Sequence, residues 1–265
     1  MLMLIQKQCR YLLPFIGIIL SLNGCLGFSP KQIPTVPCDY SLALRTIKAI
    51  KAEHEKQYGI KAIASIVLDN EAIAYKVAIV IVKPDKLRIE VLPPWGTPIL
   101  LLCVNNGNVS AFVPYANKYY TGKITKALTN DYLPVPVEIA ELIDILMGQT
   151  IGLSDMTFDG DAYTCNNERN YYQISTKRFG NRYNIWVDAN SNRIAKYVRE
   201  GDDNGKLSVV YSYEPHSHFP SVISMDFDGR TAVVQYVEWE NMGNSSNNEL
   251  FQLLPPQDAQ IININ

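Results

Sequence analysis

The sequence predicts a mainly β chain of the α+β class, with about ten antiparallel strands in one large curved sheet or barrel and helices across its concave face. Three observations point there. From Ile60 onward, β-rich runs alternate with turn signals at roughly ten-residue intervals. Two segments, near residues 40–58 and 133–149, carry apolar side chains at helical spacing. Of the 265 residues 47% are hydrophobic and 19% charged, which can fill the core of one or at most two globular domains.

Taken in order, residues 1–24 read as a signal peptide. Lys7 and Arg10 form a basic n-region, and Tyr11 to Leu22 is an apolar stretch too short to span a bilayer. It ends in "LNGC", where Leu22 and Gly24 before Cys25 resemble the lipobox of bacterial lipoproteins. By that resemblance Cys25 becomes the lipidated N-terminus; a plain secretory signal with an incidental cysteine is the alternative. Several acyl chains, at about 0.8 kcal/mol per buried CH₂, anchor stably where one does not. Leu26 is not the aspartate that retains enteric lipoproteins in the inner membrane, so the expected location is the outer membrane, facing the periplasm. Residues 25–38 then form the lipidated cysteine and a Pro-containing tether.

The main domain is expected over residues 39–240. Its first helix lies in "CDYSLALRTIKAIKAEHEKQYG", with Ser41 as cap, Leu44, Ile47 and Ile50 on one face, and Gly59 as stop. Eleven runs follow as strands, from "IKAIASIVL" through "KLRIEVL" and "PILLLCV" to "TAVVQYVEW", separated by "NNG", "DG", "NSN", "NG" and "DG". The second helix interrupts them at "LPVPVEIAELIDILMGQ". Pro136 suits a first turn, Ile139, Leu142, Ile143 and Leu146 form the apolar stripe, and Gly148 ends it. "KLRIEV" alternates cleanly, whereas "AIVIV" and "ILLLC" are apolar on both faces. Such strands need cover on both sides, from a thick core or around an apolar cavity. Residues 241–265 are left as a C-terminal extension.

Little in the chain points to catalysis. There is no GxSxG, SxxK or glycine-rich phosphate loop, so no enzyme activity and no cofactor are expected. His216 and His218 in "PHSHFP" lack the neighbours of a metal set and read as exposed. The net charge is −2, or −4 once Lys7 and Arg10 leave, and the sixteen tyrosines are spread through strands, so nucleic acid is not an expected partner. Of five cysteines, Cys9 leaves with the leader and Cys25 is lipidated. Cys38, Cys103 and Cys165 can then form at most one disulfide, and Cys103 reads as a buried core residue.

The order of these features over Ile60 to Gln149 resembles the LolA/LolB-like family of bacterial lipoprotein carriers and outer-membrane receptors. A lipobox is followed by a helix, two strands, "KLRIEVLPPWGTPILLLCVNNGNVSAF", "NKYYTGKIT" and the Pro-containing helix. The second half, including "YNIWVDANSNRIAKYV", fits more loosely. The resemblance implies an open antiparallel half-barrel closed by helices, with an apolar cavity holding the acyl chains of lipoproteins handed over by a periplasmic LolA-like carrier. The protein would help insert them into the outer membrane, as a monomer. Strand alternation and the helix stripe assign Ile66, Val77, Ile79, Ile89, Leu101, Ile139, Leu142, Ile143 and Leu146 to the cavity. Trp95, in the turn "PPWGTP", falls where the family's receptors carry an exposed apolar loop residue, and an indole suits a membrane interface. By itself the turn would equally allow Trp95 to fold inward. The competing reading is an envelope lipoprotein with a fully packed core that binds other proteins and no lipid.

Overall fold

The computed structural model describes residues 36–37, 40–69, 71, 73–93, 97–125, 137–149, 164–168, 171–178, 180–201, 205–243 and 248–264. Helix α1 (Tyr40–Lys56) precedes six strands, β2 (Gly59–Leu68), β3 (Tyr75–Val82), β4 (Lys86–Leu92), β5 (Leu100–Asn105), β6 (Asn108–Val113) and β7 (Lys118–Lys123). Helix α2 (Ile139–Leu146) separates them from β8 (Thr164–Glu168), β9 (Tyr171–Arg178), β10 (Asn181–Asp188), β11 (Arg193–Gly201), β12 (Gly205–Ser212), β13 (Val222–Phe227) and β14 (Arg230–Asn241). A two-residue strand β1 (Val36–Pro37) and a final strand β15 (Gln260–Ile264) complete the set.

All fifteen strands join one open sheet, with β1 and β15 at its edges and β14 paired to β2 at the centre. All eleven runs expected as strands are strands. The count exceeds ten because β1, β8 and β15 lie in segments without clear apolar alternation, and β7 is rich in polar residues and tyrosine. Most connections are tight hairpins. Asn106 and Gly107 (φ 49° and 74°), and Asp228 and Gly229 (φ 48° and 87°), supply the successive left-handed residues of a two-residue hairpin turn. The first "NNG" and last "DG" are thus turns for the backbone reason that singled them out.

The pairing register lays a continuous apolar face across the sheet. Ala64 stands opposite Val77, which stands opposite Val91; Ile79 stands opposite Ile89, and Ile89 opposite Leu102. On the other side of the seam Val234 pairs with Ile223 and with Ile66, and Tyr197 with Ile185 and Val209. Ile47 and Ile50 of α1, and Ile143, Ile145 and Leu146 of α2, belong to the same core cluster. Both helices therefore cover one face, as their apolar stripes predicted.

The helix ends differ from expectation. Ser41 lies inside α1, and Gly59 opens β2. At the start of α2, Glu138 in extended conformation is the N-cap, and Pro136 lies outside the described residues. Gly148 does end α2. Its φ is +71°, and a Cβ there would sit 2.7 Å from Pro220 Cδ.

The opposite face of β4–β7 is covered by the chain's own C-terminal segment. A 3-10 turn, Asn248–Phe251, packs against β4 and β5, with Phe251 only 2% exposed. Arg88 Nη1 donates to Leu250 O at 2.9 Å, Lys86 Nζ to Asn248 Oδ1 at 2.6 Å, and the Tyr119 hydroxyl to Leu253 O at 2.5 Å. Asn117 Nδ2 donates to Asp258 O at 2.8 Å, and β15 then pairs parallel with β7. The residues set apart as an extension are part of the fold. They resolve the puzzle of "ILLLC": Leu102 and Val104 face the core, while Cys103 is buried on the strapped face as a free thiol.

Candidate apolar site beneath helix α2

Helix α2 crosses the apolar face, and its buried residues gather towards its second half and the turn after it: Glu141, Ile143, Ile145 and Leu146 in the helix, then Met147 to Gln149. Three tyrosines rise from three strands to hold its carbonyls and one carboxylate. The Tyr236 hydroxyl donates to Leu146 O at 2.7 Å, Tyr211 to Gln149 O at 2.8 Å, and Tyr197 to Glu141 Oε1 at 2.8 Å. The first satisfies the carbonyl of the last helical residue, which has no helical partner, and the second one in the segment that leaves the helix. Burial pushes all three phenols well above the usual tyrosine range, so they stay protonated donors at any physiological pH.

Glu141 also faces Arg199, whose Nε lies 3.2 Å from the same Oε1. Both are buried, at 3% and 7% exposure. Desolvation pushes the Glu141 carboxyl upward, against the pull of the Arg199 guanidinium and the Tyr197 hydroxyl. Neither Nε nor Nη2 of Arg199 makes a hydrogen bond, so the pair is held by charge more than by directed bonds. At the other end of α2, Lys83 Nζ bridges the helices, donating to His54 O at 2.8 Å and Gln149 Oε1 at 3.2 Å.

A cavity of about 290 Å³ opens where the start of α2 meets the ends of the strands. It is lined by Asp85, Val104, Gly107, Ile124, Thr125, Glu138, Ile139 and Ala140, which come from the β3–β4 turn, β5 and its turn, the end of β7, and α2. Ligand pockets typically enclose about 300–1,000 Å³, so this space falls just short of that range.

Of the residues assigned to a cavity from sequence, Ile139 lines this one. Val77, Ile79, Ile143 and Leu146 are packed into the solid core, Ile79 and Ile143 at 0% exposure. Ile66, Ile89 and Leu142 are partly buried against it. Leu101 is a correction. It pairs with Glu90 and so faces away from the helices, whereas Leu102, opposite Ile89, takes the inner position. The error is a one-residue slip on a strand apolar on both faces. Cys25 and Trp95 lie outside the described residues.

Sequence reasoning missed Glu141, Arg199 and the three tyrosines. A signal existed for the latter: Tyr197, Tyr211 and Tyr236 occupy inward positions of alternating strands, where a phenol must find a buried partner. His216 and His218 are exposed in the β12–β13 loop, and among the described residues no three His, Cys, Asp or Glu gather as a metal site. Among the described residues no helix is long and apolar enough to cross a membrane.

No family model and no curated relative matches the chain. Solved structures do resemble it. A DUF1329 family protein from Desulfovibrio piger shares 12% identity over 80% of this chain and 95% of its own, with a TM-score of 0.50. A LolA superfamily protein from Nitrosomonas europaea shares 13% identity over 78% of this chain and 97% of its own, with a TM-score of 0.47. A candidate outer membrane lipoprotein-sorting protein domain from Vibrio parahaemolyticus shares 10% over 78% and 95%, with a TM-score of 0.45. At 12% identity the likeness to the Desulfovibrio piger protein is one of fold, and the fold is what it shows.

Proposed function

We propose that the protein is a lipid-anchored outer-membrane lipoprotein of LolB-like type, which takes up acyl chains of lipoproteins from a periplasmic LolA-like carrier and helps insert them into the outer membrane. The observation that carries the reading is the placement of α2. The helix lies over a sheet-wide apolar face, with a cavity opening at its start. At about 290 Å³ that cavity holds only the end of an acyl chain. Full uptake therefore requires α2 to move off the face, which extends the dry surface along β2–β5 and β12–β14. The reading also draws on the lipobox-like "LNGC" and on the ordered motifs of the sequence resemblance. No chemical step is required, so the protein is not an enzyme in this account.

In this reading Cys25 carries the anchor and Trp95 touches the membrane during delivery. Replacing Trp95 with Glu is expected to leave thermal stability and acyl binding near wild type while slowing delivery of a fluorescent acyl probe to liposomes. A drop of several kcal/mol in stability would instead mean a buried tryptophan.

A second reading is favoured by the tight packing around Ile79 and Ile143: an envelope lipoprotein that binds proteins and no lipid. An apolar fluorophore separates the two. The purified protein is expected to enhance its emission, to release it on addition of acyl chains, and to carry co-purifying acyl chains detectable by mass spectrometry. A protein that neither binds the dye nor carries acyl chains would rule out the carrier.

A further inference from the structure

We infer that Arg199 and Tyr197 form a head-group site for an anionic amphiphile, and that Glu141 of α2 occupies it as an internal stand-in until such a ligand arrives. The inference rests on the reading in which α2 leaves the apolar face, and it names the head-group chemistry which that reading leaves open.

Tyr197 and Arg199 alternate with Val198 on β11, so both turn to the face beneath α2, where both meet Glu141. Arg199 is 7% exposed, yet its Nε and Nη2 are buried without a hydrogen-bond partner. A guanidinium presents its donors as a rigid fork that takes the two oxygens of a carboxylate together, and leaving buried donors unmade costs free energy. Glu141 fills this fork imperfectly. Its Oε1 accepts from the Tyr197 hydroxyl at 2.8 Å and lies 3.2 Å from Arg199 Nε without the alignment of a hydrogen bond. The reach of Glu141 is fixed by α2, which Tyr236 and Tyr211 hold in turn at Leu146 O and Gln149 O. A carboxylate that is not tethered to the helix can enter the fork squarely. When α2 leaves, Glu141 goes with it, and so does Glu138, whose charge also acts on Glu141. The guanidinium and the Tyr197, Tyr211 and Tyr236 hydroxyls stay behind on the sheet as donors. A charge left unpaired on an apolar face is costly, and a ligand that brings its own carboxylate removes that cost. Its chain then covers the cross-strand neighbours of the pair, Ile185, Leu207 and Val209, all members of the apolar core. An ammonium head meets a like charge at the same place.

The test uses three amphiphiles of equal chain length, laurate, dodecanol and dodecylamine, each displacing an apolar fluorophore from the purified protein. Laurate is expected to bind about tenfold tighter than dodecylamine, with dodecanol between them. Glu141→Gln removes the internal competitor and is expected to raise the laurate-to-dodecanol affinity ratio about fivefold; the ratio cancels any general loosening of α2. In the Glu141→Gln, Arg199→Met double variant the laurate-to-dodecylamine ratio is expected to fall to about twofold or less. The wild-type series needs no variant, so a misfolded mutant leaves the proposal testable. Equal binding of all three, tightest binding of dodecylamine, or a laurate preference that survives the loss of Arg199 overturns the head-group site and leaves the carrier reading intact. Failure of all three to displace the dye removes both.

Discussion

Glu141 and Arg199 are the residues whose chemistry is most exposed to test. Two charges buried under a helix stabilise only while both are present, because each alone is an unpaired charge in a low-dielectric site. Glu141→Gln keeps an acceptor for the Tyr197 hydroxyl and strands Arg199. It is expected to cost about 3 kcal/mol in denaturant unfolding. Adding Arg199→Met should restore most of that loss, and a double mutant no more stable than the single would show that the pair is not coupled. His54 sets a pH dependence of stability. Burial first, and Lys83 second, depress its pKa from 6.5 to about 4. The unfolded chain therefore binds the extra proton across that window, and stability falls as pH drops from 6.5 towards 4, by up to about 3 kcal/mol. Replacing His54 with Gln should flatten the loss between pH 6.5 and pH 4, read as the urea midpoint against pH.

At the scale of elements, the C-terminal strap is the piece with least warning in the sequence. Its segments are short, one 3-10 turn and one five-residue strand, and neither has a long apolar period. Yet Phe251 is as buried as the core, and backbone carbonyls at Leu250 and Leu253 receive side-chain donors from β4 and β7. Phe251→Ala is expected to cost about 3 kcal/mol and to raise the reactivity of Cys103 towards a thiol reagent, since both are buried on the same face of the sheet. An unchanged labelling rate would mean that the strap does not shield the thiol. The contrast with α2 is instructive. Its stripe was legible through Ile139, Leu142, Ile143 and Leu146, while Ile145 and Glu141, off that stripe, are buried as well. Periodicity finds the face turned to the sheet; it does not say how much of the remaining surface will be covered.

For the whole molecule, the proposed uptake of acyl chains turns on whether α2 can leave a sheet that otherwise forms one continuous ladder from β1 to β15. The ladder is bonded along its whole width, whereas α2 is held by side-chain contacts that can break one at a time. In hydrogen exchange α2 is therefore expected to exchange faster than β2, β3 and β14, and an added amphiphile should change its protection while the central strands stay constant. Equal protection of α2 and the central strands would argue for a fully packed protein with no uptake.

By itself the sequence determined the class, the strands that alternate or run apolar, the turns at Asn106-Gly107 and Asp228-Gly229, and the two helices. These are local: a period of two, a period near 3.6 and a pair of left-handed residues are each written in a few consecutive positions. The structure alone decided which face of "ILLLC" meets the core, where the C-terminal segment lies, and that Tyr197, Tyr211, Tyr236, Glu141 and Arg199 gather beneath α2. Those outcomes depend on strand register and on contacts between residues far apart in the chain, such as Tyr236 with Leu146 and Arg88 with Leu250. A slip of one residue reverses a strand's faces, and no short window of sequence records which register the rest of the sheet imposes.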